Sequence, residues 1–119
     1  MKDPRIVVVG SSNTDMTVVS DRLPELGETV TEGRFYESGG GKGANQAVAA
    51  SRAGGDVEFV GRVGDDRFGR GALRRLRQEG IGTDWVSVDP DVPSGVALIL
   101  VDSDGENLIS VAPGANREL

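Results

Sequence analysis

The chain reads as an α/β protein with a mostly parallel sheet and a second, smaller sheet. Two patterns predict this. Runs rich in β-branched residues, Ile6 to Val9 and Val57 to Val63, alternate with helical patterns over about 43–53 and 67–79. Strand–helix–strand–helix alternation builds parallel sheets. Short runs paired around Glu32-Gly33 and around Asp102 to Glu106 interrupt that alternation and read as hairpins of a separate sheet. The 119 residues fit one small domain.

The elements follow in order. Arg5 to Gly10 is a continuous β-branched run closed by glycine, the pattern of a strand buried on both faces. Ser11-Ser12-Asn13-Thr14-Asp15 follows at once. This is where open α/β sheets bind ligands, and it also suits a turn in which Asn13 or Asp15 bonds local backbone. Met16 to Val19 is a second short apolar run, and Pro24 and Gly27 mark a loop. Thr29 to Thr31 and Arg34 to Tyr36 read as the two strands of a flap-like hairpin, thin in apolar residues. Gly39-Gly40-Gly41-Lys42-Gly43-Ala44-Asn45 opens a helix whose small positions Ala44, Ala47, Val48 and Ala50 allow close packing on a sheet. Gly54-Gly55 ends it.

After the Val57 to Val63 strand, Asp66 is placed to cap a helix with the stripe Phe68, Ala72, Leu73 and Leu76, stopped by Gly80. Trp85 to Val88 is a short strand, and Asp89 to Pro93 a rigid loop. Ser94 to Val101 and Asn107 to Ala112 form a hairpin with an Asp- and Gly-rich turn.

Composition removes whole classes of function. The net charge of −6 argues against a nucleic-acid partner. Arg74, Arg75 and Arg77 read as the solvated face of a helix. With no cysteine and no histidine, disulfides, thiol chemistry, imidazole catalysis and the usual zinc sites are excluded. Ile6 to Val9 is too short for a signal peptide, and no run approaches the ~20 apolar residues of a membrane span. A cytoplasmic protein without a membrane partner is expected.

Several motifs fail on inspection. In a P-loop the lysine is followed by Ser or Thr, whereas Gly43 follows Lys42, and the first glycine would fall at Tyr36. Gly39, Gly41 and Ala44 fit a dinucleotide fingerprint, but that belongs in the turn after the first core strand, which holds Ser11 to Asp15. Asp102, Asp104 and Glu106 fall short of a calcium loop and read as a turn. Asp65-Asp66 reads as helix capping. What remains is Asn13 and Asp15 after the first strand, with Gly41, Lys42 and Asn45 at a helix start. One anion, one cation and two amides suit vicinal hydroxyls: the carboxylate accepts hydroxyl hydrogens while lysine and amides donate. A sugar is the natural ligand.

These residues resemble a known family. Gly10-Ser11-Ser12-Asn13-Thr14-Asp15, Pro24-Glu25-Leu26-Gly27-Glu28-Thr29-Val30 and Gly40-Gly41-Lys42-Gly43-Ala44-Asn45-Gln46-Ala47 are similar to ribokinases, within the PfkB-type carbohydrate kinases. Val60 to Asp66, Ser94 to Ile99 and Gly114-Ala115-Asn116 continue the match. The resemblance implies the N-terminal part of a three-layer α/β/α sandwich with a small β-sheet lid. It places core segments at about 1–28, 37–93 and 113–119, and lid hairpins at about 29–36 and 94–112. It implies that Asn13, Asp15, Gly41, Lys42, Gly43 and Asn45 bind the sugar. Ala97, Ile99 and Val111 would line it from the lid, on one face as the strand period requires.

It implies further a homodimer through the lid, and an enzyme transferring the ATP γ-phosphoryl to the 5-hydroxyl of ribose with Mg²⁺ and K⁺. The Gly-Ala-Gly-Asp motif that supplies the family's catalytic base is missing, as are the ATP-binding elements, so no catalytic, cofactor or metal residue is expected in this chain. The expectation is a sugar-binding half, inactive alone, with weak or absent ribose binding. The alternatives are a non-catalytic lid-mediated dimerisation or complementation module, or a fragment of a related sugar or nucleoside kinase.

Overall fold

The computed structural model describes residues 5–119. The elements run β1 (Arg5–Val9), β2 (Asn13–Val19), β3 (Arg34–Gly40), α1 (Lys42–Arg52), β4 (Asp56–Gly64), α2 (Arg67–Gln78), β5 (Gly82–Asp89), β6 (Gly95–Val101), β7 (Asn107–Ala112) and a 3₁₀ turn at Gly114–Glu118. They form two sheets. The first is all parallel, in the order β1-β4-β5. The second is mixed, in the order β3-β2-β6-β7, with β2 and β6 parallel and both outer pairs antiparallel.

The first sheet carries both helices on one face. Ala44 and Ala47 of α1 and Leu76 of α2 pack on Val57 and Phe59 of β4, with Val8 and Val86 at the margins. Phe59 is fully buried, and truncating such a side chain to alanine costs about 3–5 kcal/mol. The small residues of α1 let it lie close. A Cβ on Gly43 would meet the Gly10 Cα at 2.7 Å, so helix and turn touch backbone to backbone. Both helices match their expected spans to within a residue or two at each end, and both are followed by a glycine at positive φ, Gly54 and Gly80. Asp66 caps α2, accepting from the Gly69 N–H at 2.8 Å. Of the expected α2 stripe, Ala72 and Leu76 are buried, while Phe68 and Leu73 are half-buried. No helix among the described residues is long and apolar enough to cross a membrane.

Three expectations are corrected. First, β1 is not buried on both faces: Val7 and Val9 are 57% and 64% exposed. Helices cover one face only, and β1 is an edge strand, so alternate side chains point away from the core. Second, no hairpin forms over 29–36. Thr29 to Thr31 form no strand, and β3 pairs along its whole length with β2, from Val19↔Arg34 to Asn13↔Gly40. A seven-residue partner offers more ladder than a three-residue run. The connection is instead shaped by a bidentate Arg22–Glu28 pair at 2.6 and 2.7 Å and by Gly27 at φ 79°. Third, β2 starts at Asn13 and belongs to the second sheet, so the segment 1–28 divides between the two sheets at Ser12. The hairpin expected over 94–112 is present as β6 and β7.

Candidate functional site

The two sheets meet at the turn Gly10 to Ser12. Here α1 begins, capped by no side chain; Gly41 holds φ 94°, which glycine permits, and a Cβ there would also press on Ser11 O and Asn13 N. The Ala44 N–H donates to Ser11 O at 2.9 Å, which ties the helix start to the turn. Gly43 is buried against Gly10, so its place in the site is to permit this crossing.

Register decides which side chains share a face. Asn13 pairs with Gly95 and Gly40, Asp15 with Ala97 and Ser38, and Ala97 with Val111; Ile99 lies two residues beyond Ala97 on β6. Directly paired residues project to the same side of a sheet, and side chains alternate along each strand. Asn13, Asp15, Ala97, Ile99 and Val111 therefore occupy one face of the second sheet. Ala97 is buried, Ile99 half-buried and Val111 exposed.

The Asp15 carboxylate lies against Gly40: a Cβ on Gly40 would overlap both of its oxygens. It accepts no hydrogen bond from the described residues, so its lone pairs are open to a ligand. Burial pushes its pKa up, and the positive charge of Arg75 opposes the rise. Asn13 and Asn45, with Ser12, Gly39, Gly40 and Arg75, line a cavity of about 510 Å³ between α1, α2 and the second sheet. Lys42 is exposed at the first position of α1 and makes no ion pair with a described residue; neither it nor Asp15, Gly41, Gly43, Ala97, Ile99 or Val111 lines this cavity.

The sequence reading missed two residues here. Arg75 is not on a solvated face. It is half-buried, reaches Thr14 Oγ1 at 3.5 Å, and lies where a Gly39 side chain would be, so Gly39 serves to admit it. Burial lowers its pKa, against the opposing charges of Glu37 and Asp15. Asn116 bonds both the Ser12 backbone and the Asn13 side chain. The signal for Asn116 was its place after Gly114-Ala115; nothing local marks Arg75 apart from Arg74 and Arg77.

A web of bonds fixes the second sheet beside α2. Asp66 accepts from Ser94 N at 2.9 Å and from Ser94 Oγ at 2.7 Å, and Ser94 Oγ in turn accepts from Gly64 N at 2.8 Å. The start of β6 is thereby anchored to the cap of α2.

Residues 3–119 match the model of the pfkB family of carbohydrate kinases. The chain belongs to that family. It is 45% identical over 114 residues to a ribokinase of Bacillus subtilis, an alignment covering 96% of this chain and 39% of the relative. The ribokinase structure from Giardia lamblia superposes with a TM-score of 0.89 at 38% identity, over 97% of this chain and 35% of that one. An Arabidopsis thaliana ribokinase solved with ribose and ATP superposes at 0.81 with 36% identity, over 98% and 38%. The chain spans somewhat over a third of the length of these relatives. Among pfkB-family carbohydrate kinases it thus has the mixed α/β architecture of the ribokinases, with the parallel sheet and the second sheet both present.

Proposed function

We propose that this chain is the sugar-binding part of an ATP-dependent ribose kinase. The observation that carries the reading is the face of the second sheet on which Asn13 and Asp15 stand beside Ala97, Ile99 and Val111, above the glycine-rich start of α1. An unpaired carboxylate next to a carboxamide grips hydroxyls, and the small and branched apolar residues cover the carbon skeleton. Gly40 and Gly41 bring bare backbone to the same place. Lys42 and Asn45 add donors at the mouth of the site, where α1 presents its positive end.

The reading concerns the sugar and leaves ATP, Mg²⁺ and K⁺ to the complete enzyme. Among the described residues no three Asp, Glu, His or Cys side chains converge as a metal site, and Lys42 follows glycines that fail the P-loop pattern. Phosphoryl transfer depends on positioning and charge stabilisation of the donor. Asn13, Asp15 and the apolar residues beside them suit the acceptor, so the reading covers the acceptor's side of the reaction and routes no step through the donor.

Two assays test this. Ribose should bind weakly, with millimolar saturation, because this face is exposed at Lys42, Asn45 and Val111; Asp15→Ala should abolish the response. Purified chain should release no ADP from ATP with ribose present, and release at an ordinary kinase rate would contradict the assignment. A second reading, lid-mediated self-association, is favoured by Phe35, Leu98 and Leu108, which lie on the opposite face of the second sheet at 62%, 54% and 54% exposure.

A further inference from the structure

Asn116 sits where three chain segments meet. Its Oδ1 accepts the Ser12 backbone N–H at 2.9 Å. Its Nδ2 faces three oxygens: Asn13 Oδ1 at 2.8 Å, Pro113 O at 3.0 Å and Ser12 O at 3.2 Å. An amide nitrogen only donates and an amide oxygen only accepts. The Ser12 N–H therefore fixes which way the Asn116 amide points, because the flipped amide would set its oxygen against three others. Asn116 then fixes Asn13 in turn. With Oδ1 taken, Asn13, a residue that lines the 510 Å³ cavity, is left with Nδ2, which makes no hydrogen bond to a described residue. Gly95 keeps room for the pair: a Cβ there would overlap both Asn116 Nδ2 and Asn13 Oδ1.

We propose that Asn116 is a positioning residue that locks the Asn13 amide with its NH₂ presented to the ligand. This rests on the sugar reading of that face and gives the site a polarity: a donor at Asn13 beside an acceptor at Asp15. The matching ligand offers an oxygen lone pair to one and a hydroxyl hydrogen to the other, as adjacent hydroxyls of a polyol do. The orientation is set before the ligand arrives, so no side-chain ordering is charged to binding.

Side-chain amide NMR of the ¹⁵N-labelled chain tests this, with and without ribose. In the unsubstituted chain the Asn116 NH₂ should be protected from exchange and the Asn13 NH₂ should exchange freely. Asn116→Asp places a carboxylate before Asn13; its amide should turn, its NH₂ should become protected, and ribose should bind roughly 2- to 10-fold more weakly. Asn13→Asp should leave the Asn116 NH₂ protected, since a carboxylate oxygen still accepts, while the ribose response is lost. Backbone signals report whether each variant folds, and if Asn116→Asp does not, the unsubstituted chain and Asn13→Asp decide. A protected Asn13 NH₂ in the unsubstituted chain, or an Asn13 amide indifferent to Asn116→Asp, overturns the proposal. If the amide signals behave as expected but ribose moves none of them, the positioning role stands and the sugar reading falls.

Discussion

Asp15 and Asp66 are both partly buried aspartates, and their surroundings push them in opposite directions. Burial raises both. For Asp66 that rise is outweighed by bonds from the Ser94 N–H and hydroxyl and the Gly69 N–H, so its pKa falls below 3.8. Asp15 has no such donors, and its pKa stays raised. The linkage follows. Asp66 contributes stability that is present above pH 3.8 and lost as pH falls through its lower folded value. Asp15 binds its proton more tightly folded than unfolded, so ionised Asp15 carries a penalty that is complete above its folded pKa and vanishes below 3.8. Asp15→Asn should therefore raise the melting temperature at pH 7, with a gain that shrinks toward pH 3.5, while removing the sugar response. A gain equal at both pH values would contradict the assignment of strain to the charge. Asp66→Ala should cost about 1–2 kcal/mol in denaturant unfolding at pH 7, at the upper end for a helix cap because Ser94 loses its partner too. The Asp66 side chain was legible as a cap from Gly64-Asp65-Asp66; its bonds to Ser94 join residues 28 apart and could not be read locally.

At the level of elements, those with strong local signals came through. α1 and α2 show small or apolar residues at helical spacing with glycine stops, and β6 and β7 flank an unmistakable turn in which Asp102 Oδ1 accepts from Asp104 N and Glu106 N. β3 was misplaced because its partner is chosen by tertiary pairing: Arg34 to Gly40 could close locally on Thr29 to Thr31 or reach back to β2, and the longer ladder won. The same limit hid the burial of Arg75, which depends on Gly39 leaving space beneath β3. At the Gly10–Gly43 crossing the start of α1 lies backbone to backbone on the turn. Gly43→Ala would force the start of α1 off the turn, with an expected loss of about 1–3 kcal/mol, measured by urea unfolding. An alanine tolerated at no cost would show that α1 does not approach the turn so closely.

The whole molecule is open. Its radius of gyration is 16.2 Å and it extends 58 × 33 × 18 Å. A compact chain of this length would have a radius of about 13–14 Å. The first sheet shows Val7, Val9 and Trp85 on its helix-free face, and the second leaves apolar residues exposed on both faces, Phe35, Leu98 and Leu108 on one, Tyr36, Ile109 and Val111 on the other. Apolar surface on this scale drives association. Sedimentation velocity should show mass rising with concentration, and a monomer throughout would remove the self-association reading.

The proposed sugar face draws on β2, β6, β7 and the start of α1, all of which are formed in this chain. A ribose titration followed by backbone and side-chain amide NMR tests that most directly. The account predicts saturating shifts at millimolar ribose, confined to Asn13, Asp15, Gly40 to Asn45 and Ala97, and absent in Asp15→Ala. Shifts elsewhere, shifts that survive Asp15→Ala, or no response at saturating ribose would contradict it.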